Sequence, residues 1–353
     1  MFTASMWKEN EGPCLRNFDE EKTRESINGA LALRSQIEKI IDQIWDDGFD
    51  ALFFMGIGGT WASAMQVEVY MRGRSKLPVY VENAAEFLTT GNRRFTARSV
   101  LIYSSVSGNT KEMVELVDRV KEIGGRIFAF IDTPGSLLTA QDKQDYLICY
   151  PMNEQLKFYM VANYLMYKNN EFPDYERYNR EMEKYLAEAL IDTEKKADAW
   201  AYDFAKNKVD FLKKHPDYPH YFIGCGNQYG ATYSYGMCYW EEQMWIRTKS
   251  ISAPEFFHGM QEIIVADTPV TLFIGEDEQR PLAERVARFL PKVCANYTII
   301  DTKEFKLEGI SEEFRASISH LVMRAVNSRV DAYMELFLRH PLSIRRYYRQ
   351  FEY

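Results

Sequence analysis

The sequence predicts an α/β protein made of two tandem lobes, each a parallel sheet flanked by helices, joined by a helical connector. Three observations support this fold class. Short apolar segments alternate with amphipathic ones, as expected of strands that helices cover on both faces. An apolar segment runs into a glycine turn twice, at "GIGG" from Gly56 and at "GCGN" from Gly224. A charged helical stretch, residues 173–214, interrupts the alternation between the two halves.

The first lobe is predicted over residues 30–172. Its strands are expected at "ALFFMG", "LPVYVE", "SVLIYSS", "RIFAFID" and "DYLICYP", and its helices at "TWASAMQVEVYMRG", "NTKEMVELVDRVKEIGG" and "EQLKFYMVANYLMYKN". A single large doubly wound sheet that uses both halves of the chain is the alternative arrangement.

The second lobe is predicted over residues 215–341. Its strands are expected at "HYFIG", "PVTLFIGE" and "NYTIIDT", followed by a long helical tract from Glu312 to Leu338. Residues 342–353 are predicted to form a C-terminal tail near the active site.

Composition limits the functional classes. The 353 residues include 43 Lys and Arg against 51 Asp and Glu, a net charge of −8, so a nucleic-acid partner is not expected. Five cysteines are widely spaced without a C-x-x-C pair, which predicts neither a zinc site nor a disulfide framework. No apolar run reaches membrane-spanning length and "MFTASMWKEN" does not resemble a signal peptide, so we expect a cytoplasmic protein without membrane association.

Neither glycine turn fits a nucleotide-binding fingerprint. A G-x-G-x-x-G motif requires a third glycine where the helix packs on its strand, and that position is Trp61 in the first turn and Tyr229 in the second. Neither turn resembles the G-x-x-x-x-G-K-[ST] loop. NAD and ATP are therefore not expected, and the sequence indicates no metal and no cofactor.

The turn "SSVSGNT" follows a predicted strand and leads into a predicted helix. Such a position offers unpaired backbone N–H groups and the positive end of the helix dipole. Ser105, Ser107 and Thr110 add three hydroxyls, and Gly108 lets the backbone approach a ligand, so the turn favours binding of a terminal phosphate. The alternative is that Ser107 or Asn109 only caps the helix.

"SSVSGNT" after a strand resembles the phosphate loop of the sugar isomerase (SIS) domain, and tandem SIS lobes form the isomerase half of glucosamine-6-phosphate synthase. In the second half, "GCGNQYGAT" resembles the family's glycine turn, and "EQMWIRTKSISAPEFFHG" resembles its segment with a catalytic glutamate and a histidine. The ending "HPLSIRRYYRQFEY" is similar to that of fructoselysine-6-phosphate and glucoselysine-6-phosphate deglycases. The resemblance covers residues 35–353.

The resemblance implies a role for each matching residue, and a homodimer in which the histidine reaches into the neighbouring subunit's active site. The implied residues are Ser105, Val106, Ser107 and Thr110 for the substrate phosphate, Gly59 and Thr60 for the sugar, Glu242 for proton transfer and His258 for ring opening. Counting without gaps from "GCGNQY" points to Glu241 instead of Glu242. Adjacent helical residues point about 100° apart, so we expect only one of the two to face the site.

The expected activity is deglycation of a 6-phosphorylated glycated amino acid by ring opening, proton transfer between C1 and C2, and imine hydrolysis. Arg345 and Arg346 suit the carboxylate of the amino acid by bidentate pairing. An aldose–ketose or amino-sugar phosphate isomerase is one alternative, although the tail lacks the lysine that the synthase lobe uses. A phosphosugar sensor without catalytic activity is the other.

Overall fold

The computed structural model describes residues 12–348 and 350–351. Its contacts divide the chain into two compact units, and each is considered by itself. The first unit comprises residues 22–187, and the second comprises the described residues up to 21 and from 188 onwards.

The first unit is built on one sheet of five parallel strands. They are β1 (Leu52–Gly56), β2 (Val79–Asn83), β3 (Val100–Ser105), β4 (Arg126–Ile131) and β5 (Tyr146–Cys149). Their spatial order is β2-β1-β3-β4-β5, so the direction of winding reverses between β1 and β3. The helices in this half of the chain are α1 (Glu20–Leu31), α2 (Arg34–Asp47), α3 (Gly59–Arg72), α4 (Ala84–Thr90), α5 (Lys111–Ile123), α6 (Leu137–Ala140) and α7 (Glu154–Lys168).

Both faces of the three central strands, β1, β3 and β4, are buried, and alternate residues of each strand enter different layers. Phe53 and Met55 pack into one cluster with residues of β3 and β4. Phe54, between them, points the other way and meets Phe158 of α7 with ring centroids 5.4 Å apart. Burial on both faces explains why these strand segments are wholly apolar in the sequence, as expected for a parallel sheet.

A single helix of 40 residues, α8 (Tyr175–Lys214), occupies most of the stretch for which the sequence predicts a helical connector. The division between the two units falls within it, after Ala187.

The second unit contains a separate sheet of four parallel strands in the order β7-β6-β8-β9. They are β6 (His220–Gly224), β7 (Thr248–Ser252), β8 (Val270–Ile274) and β9 (Tyr297–Asp301). The α-helices are α9 (Asn227–Ser234), α10 (Ala253–Phe256), α11 (Arg280–Phe289), α12 (Glu312–Arg315) and α13 (Ser319–Leu338); a π-helix spans Tyr235–Glu241, and short 3₁₀ turns span Met260–Ile263, Leu290–Lys292 and Thr302–Glu304.

Two separate parallel sheets confirm the prediction of two α/β lobes, and the alternative of one large sheet is wrong. The prediction of one helical tract from Glu312 to Leu338 is also wrong, because α12 ends at Arg315 and α13 begins at Ser319. Within the described part of the chain, no helix is long and apolar enough to cross a membrane.

Candidate active site

Two turns of the first unit lie side by side at the carboxyl edge of its sheet. The glycine turn follows β1 and the hydroxyl-rich turn follows β3, and these strands are adjacent, with Met55 paired to Tyr103. Ligands of open parallel sheets bind at the point where the strand order reverses, which here is the boundary between β1 and β3. The two turns that the sequence singles out therefore share the position at which this architecture binds ligands.

The hydroxyls of the second turn accept hydrogen bonds from the turn's own backbone. Ser105 Oγ accepts from the Gly108 N–H at 3.1 Å, and Ser107 Oγ accepts from the Asn109 N–H at 3.2 Å. A hydroxyl that accepts a hydrogen bond still has its own hydrogen to donate. The turn is thus preformed, with two hydroxyl groups that can donate to an anion.

Thr110 is the N-cap residue of α5, and its side chain makes no capping hydrogen bond. The alternative in which Ser107 or Asn109 caps the helix is therefore wrong. Asn109 Oδ1 instead accepts from the Leu137 N–H at 2.8 Å, which ties the turn to the segment before α6. The amino end of a 13-residue helix remains directed at the turn, and its dipole favours an anion there.

Gly108 is required by both conformation and space. Its φ of 62° lies in the left-handed region, and a Cβ there would overlap the side chain of Ser136. Val106, by contrast, is 59% exposed at the tip of the turn, and its carbonyl accepts a hydrogen bond of 2.8 Å from the Thr133 hydroxyl. The backbone, rather than the Val106 side chain, is held in a fixed orientation.

The glycine turn is also closed by a side chain that belongs to it, that of Thr60. Thr60 Oγ1 accepts from the Ile57 N–H at 3.2 Å and donates to the Ile57 carbonyl at 3.1 Å. Gly59 begins α3, and Gly58 before it has a φ of 62°. The Thr60 hydroxyl, which the resemblance assigns to the sugar, therefore already has partners within its turn.

Glu154, the first residue of α7, was not identified by sequence reasoning. Burial raises the pKa of its carboxyl group, against the opposing effects of the Ser63 hydroxyl and the Lys157 ammonium, while the charge of Asp132 adds to the rise. Ser63 lies in α3 just after the glycine turn, so this carboxyl group is close to the carboxyl edge of the sheet. In sequence, Glu154 resembles any acidic residue in the first turn of a helix, and no other signal distinguishes it.

In the second unit, Glu242 directly follows the π-helix and is paired with the C-terminal tail. Its Oε1 accepts a hydrogen bond of 2.7 Å from Nε of Arg345. The guanidinium is held from the other side, since Nη1 donates to the carbonyls of Leu342 at 2.7 Å and Ile344 at 2.9 Å. The sequence singled out both residues, but for separate roles.

A cleft of about 1040 Å³ lies beside this ion pair. Both Glu241 and Glu242 line it, so the expectation that only one of them faces a given site does not hold for this cleft. The two carboxylates nevertheless have different partners, because Glu241 accepts a hydrogen bond of 2.6 Å from the Thr248 hydroxyl. The wider turn of the π-helix departs from the α-helical geometry on which the expectation rested.

Arg346 lines the same cleft and lies over the Trp245 ring, 4.1 Å from its centroid. Trp245 has a φ of 60°, a conformation that is rare for a bulky residue. The His340 ring packs edge-on against the Trp245 ring with centroids 4.2 Å apart, and its Nε2 forms a hydrogen bond of 2.9 Å with the Gln243 carbonyl. The tail is therefore attached to the segment after Glu242 by several contacts.

His258 is exposed in the turn between α10 and the 3₁₀ turn that follows it. It lies beyond the carboxyl end of β7, whereas the cleft with Glu242 includes Thr248, the first residue of β7. A strand of this length spans about 13 Å between its first and last Cα atoms. Within one chain, Glu242 and His258 are thus found at opposite ends of β7.

The second unit has a switch point of its own, between β6 and β8, and it is occupied by the chain itself. Asp277 follows β8, and its Oδ2 accepts from the Asn227 N–H at the start of α9 at 2.7 Å. A Cβ on Gly226, whose φ is 59°, would overlap this carboxylate. An internal carboxylate thus takes the position where the first unit presents hydroxyls. Among the described residues, no group of three His, Cys, Asp or Glu could hold a metal ion.

The SIS domain family matches residues 50–167, which contain both turns of the first unit. This part of the chain is an SIS domain. Three similar proteins show how far this relationship extends. Fructosamine deglycase FrlB of Bacillus subtilis (strain 168) is 28% identical to this SIS protein over 330 residues, which cover 90% of this chain and 97% of that protein.

Fructoselysine 6-phosphate deglycase of Escherichia coli O157:H7 is 22% identical over 315 residues, covering 88% of this chain and 89% of that protein. A crystal structure described as a phosphosugar isomerase of Bacillus subtilis has a TM-score of 0.81 and 25% identity, and the match covers 94% of this chain and 100% of that chain. This SIS protein is thus similar over most of its length, in both units, to enzymes described as deglycases and isomerases.

Proposed function

We propose that this SIS protein is a deglycase that cleaves a 6-phosphorylated glycated amino acid, of the fructoselysine 6-phosphate or glucoselysine 6-phosphate type, into glucose 6-phosphate and the free amino acid. The observation that carries the proposal is the similarity to two deglycases over 90% and 88% of the chain. The hydroxyl-rich turn at the switch point of the first sheet supports it, because a sugar phosphate needs such an anion site.

Binding begins with the phosphate group. Ser105 and Ser107 donate their hydroxyl hydrogens, Thr110 adds a hydroxyl at the N-cap, and the backbone around Val106 contributes N–H groups. Hydrogen bonds to a charged phosphate are stronger than those between neutral groups. Gly59 and Thr60 in the neighbouring turn contact the sugar hydroxyls.

The chemistry is an internal proton transfer followed by hydrolysis. His258 assists opening of the sugar ring, and Glu242 removes a proton from C1 and returns it to C2. The ketoamine becomes an enaminol and then an aldimine, and water adds to the C=N bond to release the amine and the aldehyde form of glucose 6-phosphate. No electrons are gained or lost, so the reaction as written requires no oxidant or reductant.

A shared active site in a homodimer reconciles this chemistry with the geometry of one chain. Since Glu242 and His258 lie at opposite ends of β7 in one chain, the two roles require the partner subunit's His258. The exposure of His258 fits this arrangement, because a residue that serves a neighbouring subunit must reach the surface of its own.

The amino-acid carboxylate is assigned to the tail. Arg346 makes no ion pair with any residue that the structure describes, and it is positioned by its contact with Trp245. Arg345 already neutralises Glu242. A substrate carboxylate that binds this pair of arginines would compete with Glu242 for Arg345 and leave Glu242 available as a base.

One assay tests the proposal. The purified protein is incubated with a set of 6-phosphorylated glycated amino acids, and glucose 6-phosphate and free amine are both measured. Equal release of the two products from at least one compound is expected. Interconversion of aldose and ketose phosphates without amine release would favour the isomerase alternative, and binding without turnover would favour a sensor.

A further inference from the structure

The second unit has another cleft, which lies at its edge strand β9. The Glu242 cleft lies at the other edge strand of the same sheet, β7. The cleft at β9 has a volume of about 360 Å³ and is formed between α8 and the start of β9. Its lining residues are Trp200, Asp203, Phe204, Asn207, Lys208, Asn296 and Thr298, none of which belongs to the candidate active site. The size is within the range of small-molecule sites.

Lys208 is the unusual group in this cleft. The residue is only 5% exposed, yet its ammonium makes no hydrogen bond or ion pair with any residue in the described ranges. Its Nζ lies 5.6 Å from the ring centroid of Phe204 and 5.7 Å from that of Phe211. The two rings compensate the lost hydration of this largely buried side chain only in part.

None of the groups that the structure describes around Lys208 forms an ion pair with it. Burial lowers the pKa of Lys208 to about 8, a change that the nearby Cys294 thiol opposes. His220 of β6 also faces this region, and burial together with the charge of Lys208 holds the pKa of His220 well below its usual value. Asp203, the carboxylate that lines the cleft, is exposed and forms no bond to Lys208.

We propose that this cleft binds the carboxylate group of a small organic acid, with the Lys208 ammonium as its counter-charge. Trp200 and Phe204 stack on each other with ring centroids 5.1 Å apart and form an apolar wall for the body of the acid. A bound carboxylate would give the ammonium the ion pair that no described residue provides, and pairing of an ammonium with a carboxylate is a strong, charge-assisted interaction. The site is independent of the proposed deglycase activity.

Direct binding tests the proposal. Acetate, benzoate and free lysine are titrated into the full-length protein at constant ionic strength and pH 6.5, with binding followed by calorimetry or NMR. Saturable binding of benzoate is expected, and tighter binding of benzoate than of acetate would reflect the aromatic wall. Free lysine shows whether an ammonium on the ligand, which Asp203 could attract, adds to the affinity.

Lys208→Met keeps an apolar side chain of similar length and should weaken benzoate binding at least tenfold. Lys206→Met, at an exposed position of the same helix, should leave benzoate binding unchanged.

In the wild type, affinity for benzoate should fall about 30-fold between pH 6.5 and pH 9.5, because a lysine with a pKa near 8 is almost fully deprotonated at the higher pH. The absence of saturable binding overturns the proposal, as does binding that survives at pH 9.5; the wild-type pH profile decides the matter even if Lys208→Met does not fold.

Discussion

Arg345 donates a hydrogen bond of 2.7 Å from Nε to Oε1 of Glu242, across 103 residues of sequence. The side chains are 20% and 32% exposed, so the pair is neither fully buried nor freely solvated. Because the tail carbonyls fix the guanidinium as well, the contact holds the tail against the candidate proton-transfer residue.

The strength of this ion pair can be measured by a double-mutant cycle. Glu242→Gln, Arg345→Gln and the double variant are compared in denaturant unfolding, and we expect a coupling of about 0.5–1 kcal/mol, the upper part of the range for partly exposed pairs. Arg346→Gln serves as the control, since Arg346 stacks on Trp245 instead of pairing with Glu242. A coupling of zero between Glu242 and Arg345 would contradict the geometry.

The phosphate site is best tested at Thr110. Its hydroxyl does not cap α5, so Thr110→Val should weaken sugar-phosphate binding by about 1.5–3 kcal/mol without a matching loss of folding stability. The Ser105→Ala, Ser107→Ala double variant should weaken sugar-phosphate binding further. It should also lower the folding stability, because both hydroxyls accept hydrogen bonds from backbone N–H groups of the turn. Affinity for glucose 6-phosphate and the unfolding midpoint are the two readouts, and an unchanged affinity in both variants would exclude the turn from the site.

Proton transfer by Glu242 predicts a loss of turnover. Glu242→Gln preserves shape but cannot accept a proton, and general acid–base steps contribute about 10²–10⁴-fold, so kcat for amine release should fall by at least that much. Glu241→Gln is the matched control, because Glu241 is bonded to Thr248. If Glu241→Gln is instead the inactive variant, the proton-transfer residue is Glu241.

The shared site predicts complementation between inactive subunits. A heterodimer of Glu242→Gln and His258→Ala chains has one site with both residues intact, so an equal mixture after subunit exchange should recover about a quarter of wild-type activity. Each variant alone should stay inactive. Exchange confirmed by mass spectrometry without recovered activity would rule out the shared site.

The raised pKa of Glu154 predicts a pH-dependent stability effect. The folded state retains a proton on this carboxyl group at pH values where the unfolded chain has released it, so its contribution to stability falls as the pH rises above about 4.5. Glu154→Gln removes this dependence, and the free energy of unfolding of the variant relative to wild type should increase between pH 4.5 and pH 8. Glu86→Gln, at an exposed first-turn position of α4, is the matched control for removal of a carboxylate from the start of a helix.

The sequence alone predicted the elements that consist mainly of buried apolar residues. The strands before both glycine turns and the hydroxyl-rich turn were predicted, because buried parallel strands are short, continuous apolar runs. Strand β7 was missed, since "TKSIS" at the sheet edge has polar residues and none of its five positions is fully buried. The break before Ser319 was missed because amphipathic spacing continues across it.

The partners of the candidate site residues could not be predicted from the sequence. Arg345 and Glu242 are 103 positions apart, and no local pattern indicates that they pair. The π-helix before Glu242 likewise has no sequence signature that separates it from an α-helix. Lys208 appears in sequence as one more lysine of a charged helix, and only its burial distinguishes it.

Asp277 distinguishes the two halves of this protein, because it places an anion from the chain itself at the switch point of the second sheet. The Asp277 carboxylate, which is part of the chain, accepts hydrogen bonds from the Asn227 N–H at the amino end of α9 and from the Gln279 N–H in the turn after β8. These hydrogen bonds need no bound ligand. Among the described residues of the first half, the Ser105 and Ser107 hydroxyls stand at the corresponding turn in place of a carboxylate, and under the proposed function a phosphate ester supplies the anion there. The proposed function therefore predicts that a chain with two parallel sheets binds a single phosphate ester, at the five-stranded one.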